Sequence, residues 1–315
     1  MGKNNKVLVT GGCGFIGSHL VEELVNRGYS VRVLDNLSRG RLSYLKGLIE
    51  DEKIEFIDGD IRYDDAVNSA MDDMDYVFHA AATNINRSLS YPQESFDVNF
   101  NGSRVVFKSA LDHNVKKVIF SSSASVYGEP KKLPVSENSR LNPITPYCVS
   151  KLSSEYLLAF LSQSGLKHIT LRYFNVYGTR QCTDAYYTSV IILFIKRLLS
   201  GKPPIILGSG EQSMDFVNVR DVVQANILAM ESDVSNEVFN VGTGTETSIK
   251  KLAELIVNSV GVDLKPIFEK RKVIVKRRRA DISKIRRCLG FKPKITLQDG
   301  LSEVIDDIKK NPQNY

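Results

Sequence analysis

Tyr147 and Lys151 stand four residues apart in TPYCVSK, residues 145–151, a stretch that reads as the start of a helix. On a helix, positions i and i+4 share one face. Such a pair is ordinary on a solvated face where a lysine snorkels to water. It could also do chemistry. A cation beside a phenol favours phenolate and lowers its pKa from about 10. Brought near 7, Tyr147 would be a usable general base. Lowering a phenol from about 10 to about 7 requires roughly 4 kcal/mol of differential stabilisation. An exposed ion pair supplies only about 0–1 kcal/mol, so a second positive charge in a partly dry site is needed.

A source for that charge lies near the N-terminus. GGCGFIG sets Gly11, Gly14 and Gly17 in a GxxGxxG order, between the strand pattern KVLVT and the helix pattern SHLVEELVNRG. Glycines there let the backbone turn tightly and approach a pyrophosphate at a helix N-terminus. Asp35 closes the next strand pattern, eighteen residues after Gly17. A carboxylate at that place accepts hydrogen bonds from an adenosine ribose. It also repels a 2′-phosphate, which favours NAD over NADP, although Arg39 nearby pulls the other way. The oxidised nicotinamide ring of NAD would supply the missing charge.

The elements that must position these groups follow from periodicity. KVLVTGG, VRVLDN, IEFIDGDI, YVFHAAA, KVIFSSS and ITLRYFNVYG read as strands. FDVNFNGSRVVFKSALDHN and YCVSKLSSEYLLAFLSQSG are long enough for crossover helices. Strands alternating with helices predict an α/β fold, a Rossmann-type doubly wound parallel sheet. After residue 176 the pattern loosens: a long helix within 179–204, short strands around a turn, RDVVQANILAME as a helix, EVFNVG as a strand, SIKKLAELIVNSVG and a last helix from Leu297. This predicts a smaller α/β substrate domain interleaved with the first: 1–176 with 216–245, then 177–215 with 246–315. No internal repeat is visible.

The chain has 315 residues, 42% hydrophobic and 25% charged, as expected of a globular protein with a sizeable core. No apolar run approaches the ~18 residues that cross a membrane; VIILFI at 190–195 is far too short. The N-terminus enters a strand at once, which leaves no room for a signal peptide's apolar core. Met-Gly at the start lacks the Ser or Thr that myristoylation wants at position 6, where Lys6 stands. Four scattered cysteines without a CxxC pair point to a reducing cytoplasm and away from disulfides or a zinc site. Residues 265–287 hold eleven Lys/Arg against two acids, a local +9 in a chain of net +6, so the remainder sums to −3. A run such as KRRR at 276–279 can mean nucleic acid, a diphosphate-like anion or a solvated surface. No DNA- or RNA-binding motif accompanies it.

GGCGFIG, DNLSRG at 35–40, GDI at 59–61, HAAA at 79–82, SSSASVYG at 121–128, PYCVSK and LRYFNVYG at 171–178 occur in order. Together with ADISK at 280–284 and LGFKPK at 289–294 they resemble the extended short-chain dehydrogenase/reductases, and within them nucleotide-sugar epimerases of the UDP-galactose 4-epimerase type. The likeness spans nearly the whole chain. It implies that Tyr147 is the base, that Lys151 holds the nicotinamide ribose, and that Ser123 hydrogen-bonds the reacting sugar hydroxyl. Tyr147 would take the proton of sugar O4 while the C4 hydride goes to NAD; the 4-keto sugar turns over and the hydride returns to its other face. The cofactor is expected to stay bound. The resemblance further implies that Gly11, Gly14, Phe15, Ile16, Gly17, Asp35, Asn36, Asp60, Ile61, Ala80, Ala81 and Asn99 contact NAD. It gives Asn175, Arg271 and Arg278 as contacts of a UDP-sugar. It also implies a homodimer built on the helix after Ser95 and the helix of Tyr147, with VVFKSAL and YLLAFL supplying apolar residues.

Two departures stand out. GEQSMDF puts Met214 where the family keeps an arginine for the diphosphate, and Arg271-Lys272-Val273-Ile274 replaces its Arg-Pro-Gly-Asp. Arg278 falls where related enzymes keep the residue that limits the sugar's 2-substituent; a long cation there could meet a carboxylate or phosphate, or point to solvent. A 4,6-dehydratase or decarboxylase on the same scaffold would need a further acid/base beside the Ser. Ala124 and Ser125 stand there, and neither shuttles a proton at neutral pH. The intact Ser123, Tyr147 and Lys151 argue against a regulator that only binds NAD. His79 reads as a packed strand-end histidine without a chemical role.

Overall fold

The structure, a computed structural model, describes residues 5–181, 189–270 and 276–315. Six of its strands follow the apolar runs of the first half: β1 (Lys6–Thr10), β2 (Ser30–Asp35), β3 (Ile54–Asp58), β4 (Tyr76–His79), β5 (Lys117–Ser123) and β6 (His168–Tyr173). With the strand Glu237–Val241 they form a seven-stranded parallel sheet in the order (Glu237–Val241)–β6–β5–β4–β1–β2–β3. Successive side chains of a strand point to opposite faces, and here both faces are covered. Val7 and Val9 enter one core with Leu20, Leu24 and Phe239; Leu8 enters another with Val67, Phe107 and Leu158. Burial on both faces is why these strands read as unbroken apolar runs rather than alternating ones.

ITLRYFNVYG does not form one strand. The sheet strand ends at Tyr173, and Asn175–Tyr177 pairs in parallel with Phe216–Asn218 in a separate two-stranded sheet. The break lies at Phe174, whose amide bonds to Val241 O while that of Asn175 bonds to Asp215 O. The chain thus leaves the main sheet for a neighbouring element. The crossover expected as one helix over FDVNFNG and onward is also divided: Pro92–Phe96, a π-helical stretch Asp97–Gly102, then Ser103–Asp112. Within the π-helical stretch the Asn99 carbonyl accepts from the hydroxyls of Ser154 and Ser103.

A third apolar cluster is built from distant pieces: Ile191, Phe194 and Ile195 of the helix Val190–Leu199, Leu252 and Ile256 of Ile249–Val260, and Leu301, Val304 and Ile305 of Leu297–Lys310. Ser248 caps the second helix through the Lys251 amide, and Gly261 (φ 80°) ends it in the left-handed conformation. Thr296 caps the third. The segment between them is not of one piece, since Ile282, Ile285, Leu289 and Phe291 pack into the first core.

Candidate active site

The carboxyl ends of the strands open into a cleft of about 560 Å³. It spans the point between β1 and β4 where the strand order reverses, the usual ligand position in a doubly wound sheet. Its floor at β1 is the glycine turn. Gly11 is left-handed (φ 70°), and a Cβ on it would stand 2.7 Å from Ala81 Cα. A Cβ on Gly17 would come within 2.1 Å of Gly11 O. The turn can therefore be this tight only with glycine at both places. It delivers the chain into the helix Phe15–Asn26, whose N-cap, Gly14, offers no side-chain cap. The first-turn amides of Phe15, Ile16 and Gly17 lack intrahelical acceptors and line the cleft. Uncapped amides at the positive end of a twelve-residue helix suit a pyrophosphate.

Asp35 ends β2 at the cleft wall, 8% exposed. Its two oxygens accept from the amides of Leu37 and Cys13, both at 2.9 Å, which fixes the carboxylate. Burial pushes its pKa up, against the pull of those two amides. Asn36, Asp60 and Ile61 line the same end. Burial would raise Asp60 as well, but hydrogen bonds from Arg62 and Asn36 outweigh it and hold the carboxyl below its ordinary range. These groups fit the adenosine half of a dinucleotide, and with the glycine turn they fit NAD.

Ser123, at the end of β5, and Tyr147, on the first turn of the helix Pro146–Leu161, line the same cleft, as do Asn175 and, beside the glycine turn, Ala80 and Ala81. Thr145 caps that helix through the Cys148 amide and Pro146 opens it, so the helix start that aims Tyr147 is set locally. Ser123 Oγ accepts from the Ser125 amide at 3.1 Å. Asn175 Nδ2 donates to Asp215 O at 3.3 Å.

Lys151 lies one turn further down and does not line the cleft. It is 2% exposed, donates from Nζ to Ser121 O at 2.8 Å and sits over the Phe120 ring. Burial drives its pKa down to about 7, with Glu155 pulling it part of the way back. Alone it is thus a weak cation at neutral pH, in keeping with the need for a second charge. Asn99 is fully buried behind the wall: its Oδ1 accepts from the Thr83 amide at 2.8 Å, and its Nδ2 donates to Ser95 and Ser150. It positions the Thr83 loop, which does line the cleft. His79 bridges Thr10 (2.7 Å) and Ser103 (2.9 Å), and burial lowers its pKa to about 3, so it is packed and neutral.

Arg271 lies outside the described residues, with Lys272, Val273 and Ile274. Arg278 is in the cleft wall, not in solvent. Its two-residue strand Arg277–Arg278 pairs with Ser213–Met214, so Arg278 stands beside Met214 in register. Among the described residues of the basic run, Arg277 pairs with Glu246 and Lys284 bonds to Glu237.

Beneath the site lies a network that sequence patterns did not reveal. Arg172 forks onto Glu155 (2.6 and 3.1 Å) and donates to Tyr127 Oη (2.8 Å), which donates to Asn240; Ser122 bonds to Glu155 as well. Both members of the ion pair are about 5% exposed. Glu155 is four residues past Lys151, a spacing that could have flagged it, but Arg172 is brought in by β6.

Comparison with known proteins agrees with this geometry. The model of the NAD dependent epimerase/dehydratase family matches residues 7–242. A solved UDP-glucose 4-epimerase of Thermotoga maritima, with UDP-glucose, is 39% identical, covers 98% of this chain and 99% of its own, and has a TM-score of 0.90. A UDP-N-acetylglucosamine 4-epimerase of Methanobrevibacter ruminantium, in complex with UDP-N-acetylmuramic acid, is 37% identical over 98% of this chain and all of its own, with a TM-score of 0.93. A UDP-N-acetyl-alpha-D-glucosaminuronate decarboxylase of Bacillus cytotoxicus is 33% identical over 95% of this chain and 96% of its own. With the glycine turn, Asp35, Ser123 and Tyr147 in one cleft and a family match over most of its length, the chain belongs to the NAD dependent epimerase/dehydratase family.

Proposed function

We propose that this protein epimerises C4 of a UDP-hexose through a 4-keto intermediate. The observation that carries the reading is that Ser123 and Tyr147 share one cleft with the glycine turn, while the positions after Ser123 hold Ala124 and Ser125. Elimination or decarboxylation would need a further acid/base there, and neither residue titrates near neutral pH. Bound NAD would supply the reversible hydride acceptance that oxidation and reduction at one carbon require. Ser123 orients the sugar hydroxyl by hydrogen bonding, Tyr147 holds and returns its proton, and Lys151 adds positive potential from below. Asn175 contacts the nucleotide sugar at the cleft mouth. The names of similar proteins include UDP-glucose and UDP-N-acetylglucosamine 4-epimerases, which leaves neutral, N-acetylated and acidic hexoses as substrates to compare.

The test is incubation with a panel of UDP-hexoses and separation of the epimers. Tyr147→Phe should bind UDP-sugar yet turn over at least ~100-fold more slowly, the low end for a positioned acid/base. Full epimerase activity in that variant would end the mechanism. Formation of a 4-keto-6-deoxy sugar or release of CO2 would select the dehydratase or decarboxylase reading instead.

The same reading gives two units, 1–176 with 216–245 for NAD and 177–215 with 246–315 for the nucleotide sugar. The third apolar cluster, drawn from the later segments, supports that division. It also gives a homodimer in the cytoplasm. Val105, Val106, Phe107 and Ala110 of VVFKSAL are spent in the protomer's own core. Tyr156 and Phe160, on the outer face of the Tyr147 helix, remain exposed with Leu89 and Tyr91, and this apolar face suits a second copy. Among the described residues no helix is long and apolar enough to cross a membrane.

A further inference from the structure

Outside the cleft, one short segment touches both of the units proposed above. Pro312–Asn314 makes a single 3₁₀ turn after the helix Leu297–Lys310, and Tyr315 follows it. Arg41 Nη1 donates to Gln313 O and to Asn314 Oδ1, both at 3.3 Å. The Tyr315 hydroxyl donates to Asp307 and accepts from the Arg180 amide at 2.9 Å. Lys196 Nζ donates to Tyr315 O at 2.6 Å. Asp307 and Lys196 belong to helices of the third apolar cluster.

Arg180 closes the circuit. Its backbone is left-handed (φ 64°), an uncommon state for a long side chain, and its amide is held there by Tyr315. Its Nη2 donates to Glu22 at 2.6 Å, on the helix that the glycine turn opens, and its guanidinium lies 5.4 Å over the Tyr44 ring. Tyr44 belongs to the one-turn helix Leu42–Tyr44, directly after Arg41. Contacts therefore run from Arg41 through Asn314, Tyr315, Arg180 and Tyr44 and back along the chain to Arg41. What this ring fixes is the end of the loop after Asp35. The Arg41 amide donates to Cys13 O at 2.9 Å, and a Cβ on Gly40 would stand 2.8 Å from an Asp35 carboxylate oxygen. Ser38, Arg39 and Gly40 line the cleft; neither Arg41 nor Tyr315 is among the described residues that do.

We propose that Arg41 and Tyr315 are positioning residues for NAD: the clasp they form through Asn314 and Arg180 holds the Ser38–Gly40 loop against the adenosine end of the cofactor, so that opening the clasp quickens NAD release. This does not depend on which reaction the bound NAD serves. The loop is anchored at its start by the Leu37 amide on Asp35 and at its end by the clasp. A loop fixed at both ends loses less conformational freedom on binding a ligand than a loose one, and the cofactor is held more tightly by that difference.

The test measures NAD release after dilution of the NAD-loaded protein, and melting of the NAD-stripped protein, for the wild type, Arg41→Met, Arg41→Lys, Tyr315→Phe and the double variant Arg41→Met/Tyr315→Phe. Release should quicken about 3–10-fold in Arg41→Met and in Tyr315→Phe, the range of one ordinary hydrogen bond. Arg41→Lys should fall between Arg41→Met and the wild type, because it keeps a donor. The double variant should release NAD about as fast as the faster single variant, since both changes open one clasp. A Tyr315→Phe protein that releases NAD at the wild-type rate overturns the proposal; if its stripped form also melts lower, the segment serves the fold alone. A double variant whose two factors multiply overturns it as well, because Arg41 would then act on the cofactor without Tyr315. Should Tyr315→Phe fail to fold, Asn314→Ala carries the same expectation and the same refutation.

Discussion

Replacing Lys151 by Met should make the cofactor-free protein more stable while damaging its activity. Lys151 is buried with its pKa lowered from 10.5 to about 7. A pKa displaced by one pH unit corresponds to about 1.36 kcal/mol, so at pH 7 the buried ammonium costs the fold about 4 kcal/mol. Methionine fills similar space without charge. It gives up the hydrogen bond to Ser121 O and the position over Phe120, an offset of about 1–2 kcal/mol. The net gain at pH 7 is about 2–3 kcal/mol, or roughly 4–6 °C in Tm at ~2 °C per kcal/mol for a chain of this size. The pH dependence carries the diagnosis. Below pH 7 both folded and unfolded states hold the lysine proton and the wild type bears the full penalty. Between 7 and 10.5 only the unfolded state holds it, so wild-type stability rises with pH and the gap to the variant closes. Denaturant unfolding of both proteins, stripped of NAD, from about pH 6.5 to 9 would measure this; NAD must be absent because a ligand of the folded state adds its own stabilisation. A variant less stable than wild type at pH 7, or a gap that does not narrow as pH rises, would refute the reasoning. NAD retention should also fall in the variant.

Gly17→Ala should abolish NAD retention and lower stability, because its Cβ would stand 2.1 Å from the backbone oxygen of Gly11; acid-released cofactor and a melting curve would show it, and normal retention would contradict the cradle. Arg172→Met should destabilise by about 3–5 kcal/mol, because it leaves Glu155 buried and unpaired; urea unfolding checks this, and a change under about 1 kcal/mol would mean that Glu155 simply takes up a proton. Phe160→Glu should convert a dimer to monomers at micromolar concentration without lowering the protomer's own stability, since Phe160 is 62% exposed; light scattering that shows the same mass for both proteins would remove this helix from the interface.

The local signals were carried by the sequence itself. A tight turn between a strand and a helix needs glycine wherever a Cβ would strike backbone, so the positions of Gly11 and Gly17 could be read before any coordinate. The i, i+4 spacing of Tyr147 and Lys151, the capping Thr145 and the apolar runs of the parallel strands are likewise properties of contiguous backbone. Tertiary structure decided what each of these groups faces. It buried Lys151 beneath the cleft rather than along it, because β5 passes under that helix turn. It set Asn99 behind the wall through a π-helical widening that no periodicity announces. It broke the expected strand at Phe174, because the Phe174 amide donates to Val241 O while the next amide, that of Asn175, donates to Asp215 O. It turned Arg278 into the cavity because its short strand pairs beside Met214, more than sixty residues earlier. Sequence spacing fixes which side chains share a turn or a face; burial, charge compensation and pKa depend on partners that only chain folding brings within a few ångströms.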